Sequence, residues 1–146
     1  MNKPELHFYE LANNVVAFSS TRHGGVSKGN YAAFNINRYC GDAPDAIEQN
    51  RKSLANCLEI DVNKLIVPHQ IHSDSSRIIA NEYFKLPANI REQIIEGVDA
   101  VMTNELNVCI GVSTADCIPI LLYAPRCSCN TCWLAWNGEA YSAENY

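Results

Sequence analysis

Apolar positions fall in short runs separated by polar turns. Leu6-His7-Phe8-Tyr9 and Val15-Val16-Ala17-Phe18, split by Asn13-Asn14, predict a hairpin. Ser20-Thr21-Arg22-His23-Gly24-Gly25-Val26-Ser27 then reads as a glycine-bearing loop, followed by Gly29-Asn30; on local composition it is either a site-lining loop or a simple turn with a solvated arginine. Gly41-Asp42-Ala43-Pro44-Asp45 has the form of a helix start, with proline at the first helical position and acids near the positive end of the dipole. Ile47, Asn50, Leu54 and Leu58 follow at helical spacing and predict an amphipathic helix over residues 44 to 58.

Leu65-Ile66-Val67 predicts a short buried strand leading into Pro68-His69-Gln70-Ile71-His72, and Arg77-Ile78-Ile79-Ala80 predicts another. Residues 81 to 96 are polar and interrupted by Pro87, with a short helix expected at 88 to 95. From Gly97 the chain becomes β-like: Val98 to Thr103, Val108 to Val112 and Ile118 to Tyr123 are near-continuous apolar runs, the pattern of strands buried on both faces. Pro119 places the start of the last of these at a bulge or an edge. After Pro125 the character changes abruptly, with Cys127, Cys129 and Cys132 crowded together.

Composition narrows the function classes. The chain has 146 residues, 47% hydrophobic and 18% charged, the balance of one ordinary globular domain. A net charge of -5, with 11 basic residues that form no run, argues against a nucleic-acid surface. No apolar stretch approaches the roughly 20 residues that span a bilayer, and Met1-Asn2-Lys3-Pro4-Glu5 lacks the apolar part of a signal peptide; the expectation is a cytoplasmic protein with no membrane partner. In that reducing compartment, seven cysteines are buried thiols, metal ligands or a nucleophile rather than disulfides.

The candidate chemistry lies at His72 and at Cys117, the latter in Ser113-Thr114-Ala115-Asp116-Cys117. Imidazole plus thiolate is either two-thirds of a three-ligand zinc centre or the core of a Cys/His nucleophilic site. Each residue alone has a bland reading, as a satisfied core histidine and a small buried hydrophobe. Asp116 adds weight, because a carboxylate between buried strands needs a cation, a metal's surroundings or backbone donors. His69 and His72 are three apart, which in an extended segment puts them on opposite faces; one belongs to the site, and spacing does not say which.

Ser20 to Ser27, Asn35, Gly41-Asp42, Glu48-Gln49-Asn50-Arg51, Gln70-Ile71-His72, Val98-Asp99-Ala100 and Thr114-Ala115-Asp116-Cys117 together resemble the laccase-domain family. These are the YfiH-type proteins, also called multicopper polyphenol oxidases and peptidoglycan-editing factors. The blocks occur in family order over roughly residues 15 to 125. The resemblance implies an α+β chain, part of a four-layer α/β/β/α fold with mixed sheets. It further implies a zinc-supported purine nucleoside phosphorylase or adenosine deaminase whose partners are a purine nucleoside and phosphate. It makes His72 and Cys117 two of three metal or catalytic residues and places Arg22 and Asp116 at substrate, with Arg22 an anion or nucleobase contact. Zinc suits either reaction, lowering the pKa of a bound water to about 7 or polarising phosphate. Ser73 stands where the family usually has glycine. Copper oxidation is disfavoured, since four scattered histidines cannot furnish a multicopper site.

Family members continue with His-Ala-Gly-Trp-Arg-Gly, whose histidine is the third ligand, and then with about as much chain again. Here no histidine follows Cys117. Tryptophan's single codon, TGG, read one base late always gives glycine. Allowed codons let Arg126 to Gly138 be read one base later as Asp-Ala-Ala-Val-Ile-His-Ala-Gly-Trp-Arg-Gly-Thr. The expectation is a family part at 1–125 and a non-family, out-of-frame tail at 126–146, giving a truncated fold. A zinc motif at Cys127, Cys129 and Cys132 is the rival reading and lacks a fourth ligand at usual spacing. The expected function is a fragment of a zinc-dependent purine nucleoside enzyme with little turnover and weak or absent zinc. Its exposed strand edge invites self-association. The alternatives are a metal-independent cysteine hydrolase using Cys117 and His72, or a non-enzymatic binding fragment.

Overall fold

The computed structural model describes residues 3–115 and 117–124 and the backbone of 131–135. Strands β1 (Leu6–Ala12) and β2 (Val15–Ser20) form the expected antiparallel hairpin, with a register irregularity between Tyr9 and Ala12. Helix α1 (Pro44–Cys57) starts with proline in its first turn and Asp45 at its positive end. Ile47, Asn50, Arg51, Leu54 and Ala55 are its buried face, the i, i+3, i+4 stripe of an amphipathic helix. Leu58 N–H still donates to Leu54 O at 3.0 Å, and Glu59, at φ 55°, turns the chain away.

Two two-residue strands, β3 (Leu65–Ile66) and β6 (Cys109–Ile110), pair in parallel. A four-stranded mixed sheet runs β4 (Ser76–Ile78), β5 (Ala100–Thr103), β8 (Thr131–Ala135), β7 (Ile120–Ala124); β4 and β5 are parallel, and β8 is antiparallel to both its neighbours. Helix α2 (Ala88–Ile94) follows Pro87, as the proline predicts. No helix among the described residues is long and apolar enough to cross a membrane.

Two clusters hold these elements together. Ile66, Ile79, Tyr83, Ile95, Val98 and Val101 form one, and Phe34, Leu54 and Leu65 form the other, with Phe18, Leu6 and Ile36 packed on it. Burial alternates along β5, with Val101 and Thr103 inward. On the opposite face, Ile78, Met102 and Leu122 share one row across the sheet, and Ile78 and Leu122 are 69% and 49% exposed. Burial on both faces, expected from the apolar runs, is therefore not reached among the described residues: one face packs on the core, and no described element covers the other. The segment 131–135, part of the expected non-family tail, is a strand in register with two neighbours, because ladder hydrogen bonds join main chain to main chain.

Candidate functional site

The carboxyl ends of the parallel strands β3 and β6 lead into the two candidate segments, one carrying His69 and His72, the other Cys117. Gly111 N–H donates to Ile66 O at 2.8 Å, so the two chains leave the ladder side by side. In open α/β sheets the space beyond such carboxyl ends is where ligands bind.

The two histidines have different surroundings. His69 stacks on Tyr39 with ring centroids 4.2 Å apart, and its Nδ1 lies 2.6 Å from Glu96 Oε1. Its main chain bonds Ile95 O and Val98 N–H, so both ring and backbone are committed. His72 is exposed, sits at φ 62°, and its ring has no hydrogen-bond partner among the described residues. Left-handed backbone at a non-glycine residue costs energy and persists only where the surroundings impose it.

Asp99 imposes it. Its fully buried carboxylate accepts the N–H groups of Ile71 at 3.2 Å, His72 at 2.9 Å and Ser73 at 2.9 Å. The Ser73 hydroxyl, 2.8 Å from Asp99 Oδ2 and 3.1 Å from Gly97 O, adds a contact that glycine there would lack. Burial on its own raises the carboxyl pKa, but the bonds from Ser73, Ile71 and His72 outweigh it and hold the group below the ordinary value. Nothing in the pattern Val98-Asp99-Ala100 assigns Asp99 this role by itself. Its position carries the signal, since an acid entering an apolar strand must find donors.

Gln70 joins the two segments: its Oε1 accepts the N–H of Ser113 at 2.7 Å, across 43 residues of sequence. Cys117 is a free, half-buried thiol just before β7. His72 and Cys117 make no hydrogen bond to each other among the described residues. Asp116 lies outside the described residues, as do Cys127 and Cys129 and the side chain of Cys132. Imidazole and thiolate suit zinc chemically. Among the described residues no three His, Cys, Asp or Glu side chains come together as a metal site.

Arg22 lies in an exposed loop and turns back on it, Nε donating to Ala32 O at 2.8 Å, while the Arg22 carbonyl accepts the N–H groups of Ala33 and Phe34. The loop is pinned to α1 by Asn50, whose Oδ1 accepts Val26 N–H at 2.9 Å and whose Nδ2 donates to Ser27 Oγ at 3.0 Å and Asn35 O at 2.9 Å. Gly25 is required here, because a Cβ would lie 2.1 Å from Ala33 O and 2.4 Å from Phe34 Cα.

Fold and site together define an α+β chain that presents a histidine and a cysteine from loops beyond adjoining parallel strands. The chain belongs to the multi-copper polyphenol oxidoreductase laccase family, whose model matches residues 16–138. It is similar to a purine nucleoside phosphorylase of Bacteroides thetaiotaomicron, with 36% identity over 76% of this chain and 41% of that one. It is also similar to adenosine deaminase RL5 from an unknown prokaryotic organism, with 36% identity over 81% of this chain and 45% of that one. Among solved structures, YlmD from Geobacillus stearothermophilus superposes with a TM-score of 0.72 at 28% identity, over 86% of this chain and 46% of that one. YfiH of Bacillus licheniformis, at 24% identity, shares the fold with a TM-score of 0.80 over 92% of this chain and 50% of that one. The chain spans about half the length of these relatives.

Proposed function

We propose that this chain carries two of the three site residues of a zinc-dependent purine nucleoside enzyme, His72 and Cys117. The reaction is phosphorolysis of adenosine or inosine, or deamination of adenosine. The observation that carries the reading is that relatives named for these two activities match a chain whose His72 and Cys117 leave adjoining strands β3 and β6. When bound, zinc supplies Lewis acidity towards an oxygen nucleophile, water or phosphate. His72 is held for that role by the Asp99 cradle, and Gln70 sets its segment against the one leading to Cys117. Arg22 and Asp116 are assigned to substrate. Arg22 has to exchange its contact with Ala32 O for an anion or base edge to serve there.

In this reading residues 126–146 are translated out of frame, and the third ligand, a histidine in the alternative frame, falls at position 131, where Thr131 begins β8. Two protein ligands hold zinc weakly and leave the site open to water. The open apolar row on the four-stranded sheet adds a tendency to self-associate.

Turnover of adenosine and of inosine plus phosphate, read as released ammonia or free base, tests this. The 146-residue chain is expected to give no turnover above background. The gene recoded into the alternative frame from codon 126 is expected to give activity that chelation removes. Substantial turnover by the chain as it stands refutes the reading, and activity surviving complete zinc removal points to Cys117 as a nucleophile with His72 as base.

A further inference from the structure

A cavity of about 160 Å³ lies against β3 between α1 and α2, far above the ~15 Å³ that holds one water. None of Gln70, His72, Ser113 and Cys117 lines it. Three guanidinium groups do, those of Arg38, Arg51 and Arg91.

Arg38 is neutralised by Glu48, at 2.9 Å. The other two are not: among the described residues neither Arg51 nor Arg91 forms an ion pair. Arg51 is only 4% exposed; its Nη1 and Nη2 donate to the carbonyls of Ile36 and Leu65, and its Nε has no partner. Arg91 Nε is likewise buried and unpartnered. Burial, followed by the charge of Arg38, lowers the Arg51 pKa to about 10. A guanidinium out of water whose hydrogen bonds go only to carbonyl oxygens is costly, and an anion bonded to its unpartnered N–H offsets that cost. Glu92, the remaining carboxylate of the lining, leaves three positive charges against two negative.

We propose that this cavity binds a phosphate-type oxyanion, held by the free N–H groups of Arg51 and Arg91. Guanidinium N–H groups match tetrahedral oxyanions in both charge and hydrogen-bond direction. The site is separate from the chemistry assigned to His72 and Cys117 and stands whether or not that assignment holds.

Calorimetric titration of the 146-residue chain with inorganic phosphate tests the site, with sulfate and adenosine monophosphate as parallel arms. One saturable equivalent of phosphate is expected, displaced by sulfate. Arg91→Gln should weaken it at least about tenfold, with an unchanged far-ultraviolet circular dichroism spectrum. Displacement of phosphate by adenosine monophosphate identifies a nucleotide phosphate as an acceptable source, and no displacement identifies the free ion; both agree with the site. Absence of saturable phosphate binding overturns the proposal, as does binding that Arg91→Gln leaves unchanged. Binding abolished by His72→Ala but kept in Arg91→Gln places phosphate at the other site and equally overturns it.

Discussion

Asp99→Ala is expected to destabilise the chain by about 3 kcal/mol, because it removes the acceptor of three successive backbone N–H groups and of the Ser73 hydroxyl at once. Set against a marginal folding free energy of roughly 5–15 kcal/mol, this is a large share. Ile71 and His72 are exposed, so water partly replaces the lost bonds at their end and keeps the cost from doubling. Urea denaturation of the two proteins measures the difference. The pH dependence carries a sign that follows from the depressed carboxyl pKa. Its contribution is fully present above the unfolded value of about 3.9 and is lost as pH falls through the lower folded value. The stability of the parent should therefore fall below about pH 4, and Asp99→Asn should flatten that fall. Equal acid sensitivity in the two would remove Asp99 from its assigned place.

Asn50→Ala has the second largest expected effect, also about 3 kcal/mol. Asn50 is 1% exposed, so alanine strands Val26 N–H and Asn35 O at a buried position, with water able to reach the loop only from the exposed Val26 side. The loss detaches the Arg22 loop from α1 while leaving the helix's apolar stripe in place. Thermal unfolding of the variant should show a lowered midpoint, and hydrogen exchange should rise across residues 22–36 before it rises in α1. An unchanged midpoint would mean that the loop is held by the hairpin and not by the helix.

The hairpin and α1 are legible in the sequence, because the polar break at Asn13-Asn14 and the helical spacing from Ile47 to Leu58 admit few other structures. Strand ends are less so. Leu65, Ile66 and Val67 are all buried, yet the ladder stops at Ile66, because an apolar run records burial and not pairing. Strand β8 lies in the segment expected to be a non-family tail, yet the family match over residues 16–138 runs through it, and ladder pairing needs only main chain. At the site, a spacing of three does not choose between His69 and His72. His69 is engaged by Glu96, 27 residues away, and His72 is positioned by Asp99 at the same separation. The burial of Arg51 has no local sequence signal, since its partners Ile36 O and Leu65 O are carbonyls brought in from 15 and 14 residues away.

Retention of two of three zinc ligands, as proposed for His72 and Cys117, is read out most directly by competition titration of zinc against a chromophoric chelator. Parent, His72→Ala and Cys117→Ser are compared, with the three tail cysteines replaced by serine in all of them. The parent is expected to bind one weak equivalent and each single variant to lose it, with stability otherwise unchanged. Zinc binding that survives both substitutions would contradict the proposal.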